Sequence, residues 1–346
     1  MPSPARPAIK VGTRASALAL TQTRMIADQL AAETDLVVEL VRITTEGDRL
    51  TGSLVNLGGT GVFVTALRDA LLDGRCDVAV HSLKDLPTGA APGLVIASVP
   101  VREDPRDALC ARDGLSLAEL PPGARVGTGS PRRAAQLLLA RPDLDVVEIR
   151  GNVDTRLHRV APGDLDAVVL AAAGLARLGR LDAVTELLDP AVMAPSPGQG
   201  ALAVESRAAD VADGDSPLAR ALAALDHAPS RLAVTAERAL LARLEAGCAA
   251  PVGTHSTLEG DRLTLEAVVC RPDGTAQLRR SRTTRLSLPT PLSLPKPLFV
   301  PSPGATPAPP DPATAAVAAA ARLGADLADL LLADGAGELA ALGPAR

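Results

Sequence analysis

The feature that most constrains this chain is the regular exchange of short apolar runs and helical repeats across its first two-thirds. AIKVGT reads as a strand, Ser16 opens a helical stretch to about Ala32, and LVVELVRIT is strand-like again. FVTALRDALLDG has helical spacing and ends at Gly74, a C-cap glycine, while CDVAVHS and LVIASVP are short apolar strands. A second set follows: ARVGTGS as strand, PRRAAQLLLA as helix, LDVVEIR as strand, VDTRLHRV as helix, then the strand LDAVVLAA leading into another helix. Such alternation predicts an α/β architecture with parallel or mixed sheets and helices on their faces. The final third differs. SRLAVTAERALLARLEAG reads as a helix stopping at Gly247 and Cys248, and DRLTLEAVVC and TAQLRRSRTTRL as antiparallel strands across the turn RPDG. Residues 287–312 are Pro-rich and read as an extended or disordered loop, and roughly 313–333 as a helix packing on the small sheet. Two α/β domains and a smaller α+β domain are expected.

Composition narrows the function. The chain has 346 residues and 47% apolar content, enough for two or three domains, yet two Phe and no Trp or Tyr, so Leu, Val and Ala must fill its core. Lacking aromatic platforms and carrying a net charge of −5, it is not expected to bind nucleic acid. No apolar run of about 18 residues marks a membrane span, and MPSPARPAIK lacks the features of a secretory signal, so a cytoplasmic location is the expectation. Cys76, Cys110, Cys248 and Cys270 form no CxxC pair, which suggests neither a disulfide framework nor a metal site. Three of them, Cys76, Cys110 and Cys270, sit beside apolar strand-like runs and read as small buried hydrophobes.

Arginine placement carries chemical information. Arg14, Arg132, Arg133, Arg150 and Arg156 all fall at strand-to-helix junctions, with Pro131 in the first helical position before the Arg pair. Ligands of open α/β sheets bind at the carboxyl ends of strands, helix starts favour anions, and the planar guanidinium pairs bidentately with carboxylates. One such arginine would be an ordinary surface charge; five favour a pocket for a small molecule bearing several carboxylates or phosphates. Asp85, in HSLKDLP, follows an apolar strand and suits the stabilisation of developing positive charge, but it equally suits a turn or a pair with Lys84. Cys248 sits in the Gly-bounded loop LEAGCAAPVG after a long helix, accessible to modification or else an inert thiol.

Taken in order, VGTRASALALTQT, TTEGD, GGTGVF, AVHSLKDLP, REDPRDAL, VGTGSPRR, RGNVDTRL, SPGQGALAVE and ERALLARLEAGCAAPVG resemble the porphobilinogen deaminase family along nearly the whole chain. The resemblance implies two periplasmic-binding-protein-like α/β domains flanking a cleft, about 1–100 with 201–222 and about 101–200, and a third, α+β domain over about 226–346. It implies a dipyrromethane cofactor joined to Cys248 by a thioether, and Asp85 as the catalytic carboxylate assisting ammonia loss from porphobilinogen. Lys84, Thr128, Ser130, Arg132, Arg133 and Arg150 would hold the cofactor, and Arg14, Ser16, Arg156, Arg177 and Gln199 the substrate, with no metal. Four condensations and a hydrolysis would release hydroxymethylbilane, in tetrapyrrole biosynthesis, from a monomeric enzyme.

The chain departs from the family pattern at several places. Asn56 and Thr60 stand where the family's mobile loop often has lysines, although Phe63 keeps its place; Gly129 replaces a common serine, and Ala176 a common lysine. The 287–312 stretch resembles an insertion in the third domain. Two other classes compete. A periplasmic-type binding protein needs an export signal and no loop cysteine, and a helix-turn-helix regulator would not open on a strand.

Overall fold

The computed structural model describes residues 8–34, 37–43, 61–247, 250–288 and 312–342. Asn56, Thr60, Cys248, most of the Pro-rich stretch and the surroundings of the Phe63 side chain lie outside that description. The chain divides into two compact units: Met1–Arg102 with Ala201–Arg231 and Ser287–Ala318, and Glu103–Gly200 with Leu232–Leu286 and Ala319–Arg346.

In chain order the first elements are β1 (Ala8–Thr13), α1 (Ala17–Glu33), β2 (Val37–Arg42), α2 (Gly61–Leu72), β3 (Val78–Ser82) and β4 (Leu94–Ser98). Next come β5 (Asp107–Ala111), β6 (Arg125–Thr128), α3 (Pro131–Ala140), β7 (Asp145–Glu148), α4 (Val153–Leu157), β8 (Ala167–Ala171), α5 (Ala172–Arg177) and β9 (Glu186–Leu187). The remainder are β10 (Leu202–Arg207), α6 (Pro217–Leu225), α7 (Ala228–Arg243), β11 (Val252–Glu259), β12 (Arg262–Cys270), β13 (Gln277–Arg285), α8 (Pro312–Ala333) and α9 (Ala336–Leu339).

The first unit is built on a five-stranded sheet of order β2-β1-β3-β10-β4. β1 runs parallel to β2 and β3, whereas β10, contributed from far along the chain, runs antiparallel to β3 and β4. Alternation sends Ile9, Val11, Val78, Val80 and Val204 to one face, against Ile26 and Leu30 of α1 and Leu222 of α6. The opposite face holds Ala79 and Leu94 against Leu67 and Leu71 of α2. Helix α1 begins where expected, because Ser16 Oγ accepts from Ala19 N–H at 3.3 Å and satisfies one of the free donors of the first turn.

A charged cluster is buried in this same unit. Glu205 on β10, 1% exposed, accepts from Arg68 Nε of α2 at 3.0 and 3.2 Å, and His81 Nε2 of β3 stands 3.2 Å from it. Burial alone would push the Glu205 carboxyl up; the bonds from His81 and Arg68 outweigh it and hold the group below the ordinary carboxylate value.

The second unit repeats the arrangement, with sheet order β7-β6-β8-β5-β9. β6 runs parallel to β7 and β8, and β5 antiparallel to β8 and β9. Leu109, Val126, Val169 and Leu137 of α3 share one core cluster; Cys110, Val168, Leu170 and Leu175 share another. The smaller sheet, a meander β11-β12-β13, has both antiparallel pairings. Its Val268 and Cys270 pack on Ala135 and Leu139 of α3. The turn between β12 and β13 comes so close to α3 that a Cβ at Gly274, φ +70, would lie 2.4 Å from Leu138 Cβ. The expected buried character of Cys76, Cys110 and Cys270 is what the packing gives, with exposures of 0%, 3% and 0%.

Removing the charge of Glu205 would leave the Arg68 guanidinium without its anionic partner. Glu205→Gln is therefore expected to cost roughly 3 kcal/mol of folding stability, read from equilibrium denaturant unfolding; a loss within experimental error would mean that the cluster contributes nothing to the fold.

Candidate active site

In the first unit, the chain leaves β3 through a single 3₁₀ turn, Leu83–Asp85. Leu83 N–H donates to Ala201 O at 3.0 Å, and Leu83 and Leu86, 0% and 2% exposed, anchor both ends of the turn in the core. Between those anchors Lys84 and Asp85 are held half-exposed on a fixed backbone. Ser82, just before the turn, is bonded to the Gln22 side chain of α1 at 3.0 Å. Arg14 is half-buried directly after β1, and the Ser16 hydroxyl is engaged as the cap of α1. As cap it acts as an acceptor, which leaves its O–H free to donate.

In the second unit, β6 ends at Thr128 and Pro131 opens α3, so Arg132 and Arg133 sit in the first turn of a helix. Both are buried, at 3% and 5% exposure, around Asp107, the first residue of β5, which is fully buried. Asp107 Oδ1 accepts from Arg133 Nε at 3.0 Å, Arg133 Nη2 at 2.7 Å and Gln199 Nε2 at 2.8 Å. Oδ2 accepts from Arg132 Nη2 at 2.7 Å. Arg133 also donates to Val169 O and Gln199 Oε1, and Arg132 Nη1 to Ala194 O. Burial would raise the Asp107 carboxyl, but the charges of Arg132 and then Arg133 pull it down to about 2. Two cations on one carboxylate leave the cluster with surplus positive charge.

That surplus extends further. Arg156 donates Nε–H to Gly151 O at 2.8 Å, and among the described residues no carboxylate lies within ion-pair distance of it. Its guanidinium is pushed below its ordinary value, by burial first and then by the charges of Arg133 and Arg150. Arg150 is exposed and paired with Glu148 at 2.7 Å. Arg177 donates to Gly200 O at 2.7 Å and feels the charge of Glu103. The structure thus brings Arg132, Arg133 and Gln199 onto one carboxylate and puts Arg156 within the fields of Arg133 and Arg150. Thr128, 3% exposed, accepts from Ser130 N–H at 3.2 Å and shapes the entry to α3.

Two features escaped the sequence reading. Asp107 stood in plain view within REDPRDAL, and an acid opening the apolar run DALCA was the available signal, since unpaired acids are almost never fully buried. Gly129 has a packing reason: a Cβ there would lie 2.5 Å from Ile149 O, so any side chain, a serine included, would force these chains apart. Among the described residues no cluster of three or more His, Cys, Asp or Glu could hold a metal, and no helix is long and apolar enough to cross a membrane.

Comparison with known proteins agrees with this chemistry. Residues 9–213 match the porphobilinogen deaminase dipyromethane cofactor binding domain, and residues 231–298 the porphobilinogen deaminase C-terminal domain. The porphobilinogen deaminase of Leifsonia xyli subsp. xyli is 62% identical over 274 residues, 79% of this chain and 83% of its own. That of Cutibacterium acnes is 54% identical over 351 residues, 97% of each chain. Among solved structures, the periplasmic aliphatic sulphonate binding protein SsuA from Escherichia coli is 12% identical with a TM-score of 0.36, covering 69% of this chain and 70% of that one.

The low carboxyl value of Asp107 sets an acid limit to stability. Its folded-state value, about 2, lies below the ordinary 3.8, so its contribution is present above the ordinary value and is lost as pH falls through about 2. Unfolding free energy measured from pH 5 to pH 2 is expected to fall by roughly 2 kcal/mol on this account, and the decline should be shallower in Asp107→Asn.

Proposed function

The chain belongs to the porphobilinogen deaminase family, and on that premise we propose how its own residues divide the work. It is a transferase, a hydroxymethylbilane synthase, which joins four porphobilinogen molecules with loss of ammonia and releases hydroxymethylbilane by hydrolysis. Its cofactor is dipyrromethane, which when bound supplies the primer on which the chain of pyrroles is built.

The residues present fit such a group. Each pyrrole unit brings carboxylates, and the second unit sets two guanidiniums, Arg132 and Arg133, on the single carboxylate Asp107, with Arg156 lacking any carboxylate partner among the described residues. That surplus is the observation that carries the reading. Lys84, Thr128, Ser130, Arg132, Arg133 and Arg150 hold the cofactor; Arg14, Ser16, Arg156 and Arg177 hold the incoming substrate, and Gln199, whose buried amide is engaged with Asp107, Pro105 and Arg133, serves the substrate side by supporting these groups. Arg133 already spends most of its N–H groups on Asp107, Val169 and Gln199, so it acts mainly through its charge. Cys248 is the attachment residue. The other cysteines support this, since burial pushes the Cys76, Cys110 and Cys270 thiols up to about 11 and leaves them poor nucleophiles.

Asp85 is the catalytic carboxylate. Held half-exposed between two buried leucines, it faces the cation left when porphobilinogen loses ammonia, and stabilises it without having to reorganise. The enzyme works as a monomer in the cytoplasm, a location that buried, unpaired thiols favour.

Two experiments test the assignment. Cys248→Ala is expected to lack the covalent adduct and activity, whereas Cys76, Cys110 and Cys270 variants keep both; an adduct on another cysteine, found by mass spectrometry of tryptic peptides, refutes it. For Asp85, single-turnover ammonia release is measured on Asp85→Asn and Asp85→Glu, each loaded with cofactor from a preassembled tetrapyrrole. A Coulomb interaction of ~4 kcal/mol at an effective dielectric near 20 sets the loss in Asp85→Asn at about three decades. Asp85→Glu keeps the charge and should retain slow turnover. An Asp85→Asn protein as fast as the parent returns Asp85 to a role in the turn.

A further inference from the structure

We propose that Asp107 is a positioning residue, which aims the Arg132 and Arg133 guanidiniums and thereby sets how the second unit receives carboxylates. The inference rests on the reading that these arginines hold pyrrole carboxylates. It adds a residue that touches no ligand itself.

The geometry carries it. Adjacent arginines on a helix point in different directions, and two buried guanidiniums side by side repel. Asp107 takes one from each side: Oδ2 receives Arg132 Nη2, and Oδ1 receives the Nε and Nη2 edge of Arg133. Gln199 in turn locks the carboxylate, donating to Asp107 Oδ1 at 2.8 Å and to Pro105 O at 2.7 Å. The backbone of Asp107 is fixed by strand pairing, because it begins β5 and that strand pairs with β8 and β9.

Its effect on the two arginines is unequal. Arg133 donates through Nε, through Nη1 and twice through Nη2, so one of its five N–H groups remains. Arg132 donates once through Nη1 and once through Nη2, and its buried Nε–H has no acceptor among the described residues. A donor held in place, buried and unsatisfied is costly unless something arrives to accept from it. Asp107 therefore makes Arg133 a charged strut and leaves Arg132 with the spare donors. The pull of Arg132 and Arg133 that keeps Asp107 ionised at any working pH keeps this orientation permanent.

The test compares full-length holoenzyme in parent, Asp107→Glu, Asp107→Asn and Arg132→Lys forms. On the folded fraction of each, intact mass gives the proportion carrying the covalent adduct, and steady-state kinetics give KM and kcat per adduct-bearing chain. Asp107→Glu keeps the charge and displaces it. It is expected to fold, with adduct occupancy lowered or KM for porphobilinogen raised about tenfold, the size of one lost charge-assisted hydrogen bond. Its kcat per adduct-bearing chain should stay within about threefold of the parent, since only binding is touched. Parent-like occupancy and KM in Asp107→Glu overturn the proposal, whatever its thermal midpoint. Failure of both Asp107 variants to fold also overturns it, because the carboxylate would then belong to the fold and not to the binding wall. Arg132→Lys separates the layers: if it too is parent-like, the arginine assignment itself is wrong, and if it alone is impaired, only the positioning by Asp107 fails.

Discussion

Each unit of this protein is organised around a buried carboxylate on a strand that runs antiparallel to its neighbours. In the first it is Glu205 on β10, met by Arg68 of α2 and His81 of β3; in the second it is Asp107 on β5, met by Arg132 and Arg133 of α3. Both strands lie antiparallel within sheets whose other central pairings are parallel. A carboxylate inside a sheet domain has to be paired, because the cost of taking a lone charge out of water exceeds what packing returns. The antiparallel strand and the helix that faces it are thereby tied to each other by a bond with a direction, which apolar packing alone does not provide.

The two clusters differ in what they leave over. Glu205 faces Arg68 and a histidine, and the cluster lies within the packed face beneath α2. Asp107 faces two permanently charged guanidiniums, so positive charge remains after pairing, and Arg156 adds to it. An excess of buried like charge is unfavourable in the free protein and favourable once anions arrive. Part of the folding free energy is thus stored as readiness to bind. That is preorganisation in the ordinary sense, in which donors are fixed before the ligand comes and no rearrangement is needed when it does.

Backbone economy serves the same end. Ser16 and Asn152 cap helices at the junctions that carry Arg14 and Arg156, and Pro131 sets the start of α3 beside Arg132. Where chains must pass closely, glycine is required: at Gly129 a side chain would strike Ile149 O, and at Gly200, φ +85, it would strike Glu103 O at 2.4 Å.

Much of this was legible in the sequence because it depends on neighbours. Strand and helix periods, the Ser16 cap, Pro131 at the head of α3, the turn from Arg271 to Gly274 and the burial of three cysteines all follow from local pattern. The family motifs likewise singled out Asp85, Cys248 and the arginines. Partner choice was not legible. That Arg132 and Arg133 would converge on Asp107, 25 and 26 residues away, or Arg68 on Glu205, 137 residues away, is set by which strands lie side by side. No local propensity encodes that arrangement: a charge in a sequence shows only that it needs a partner or water, and the sheet order decides which it receives.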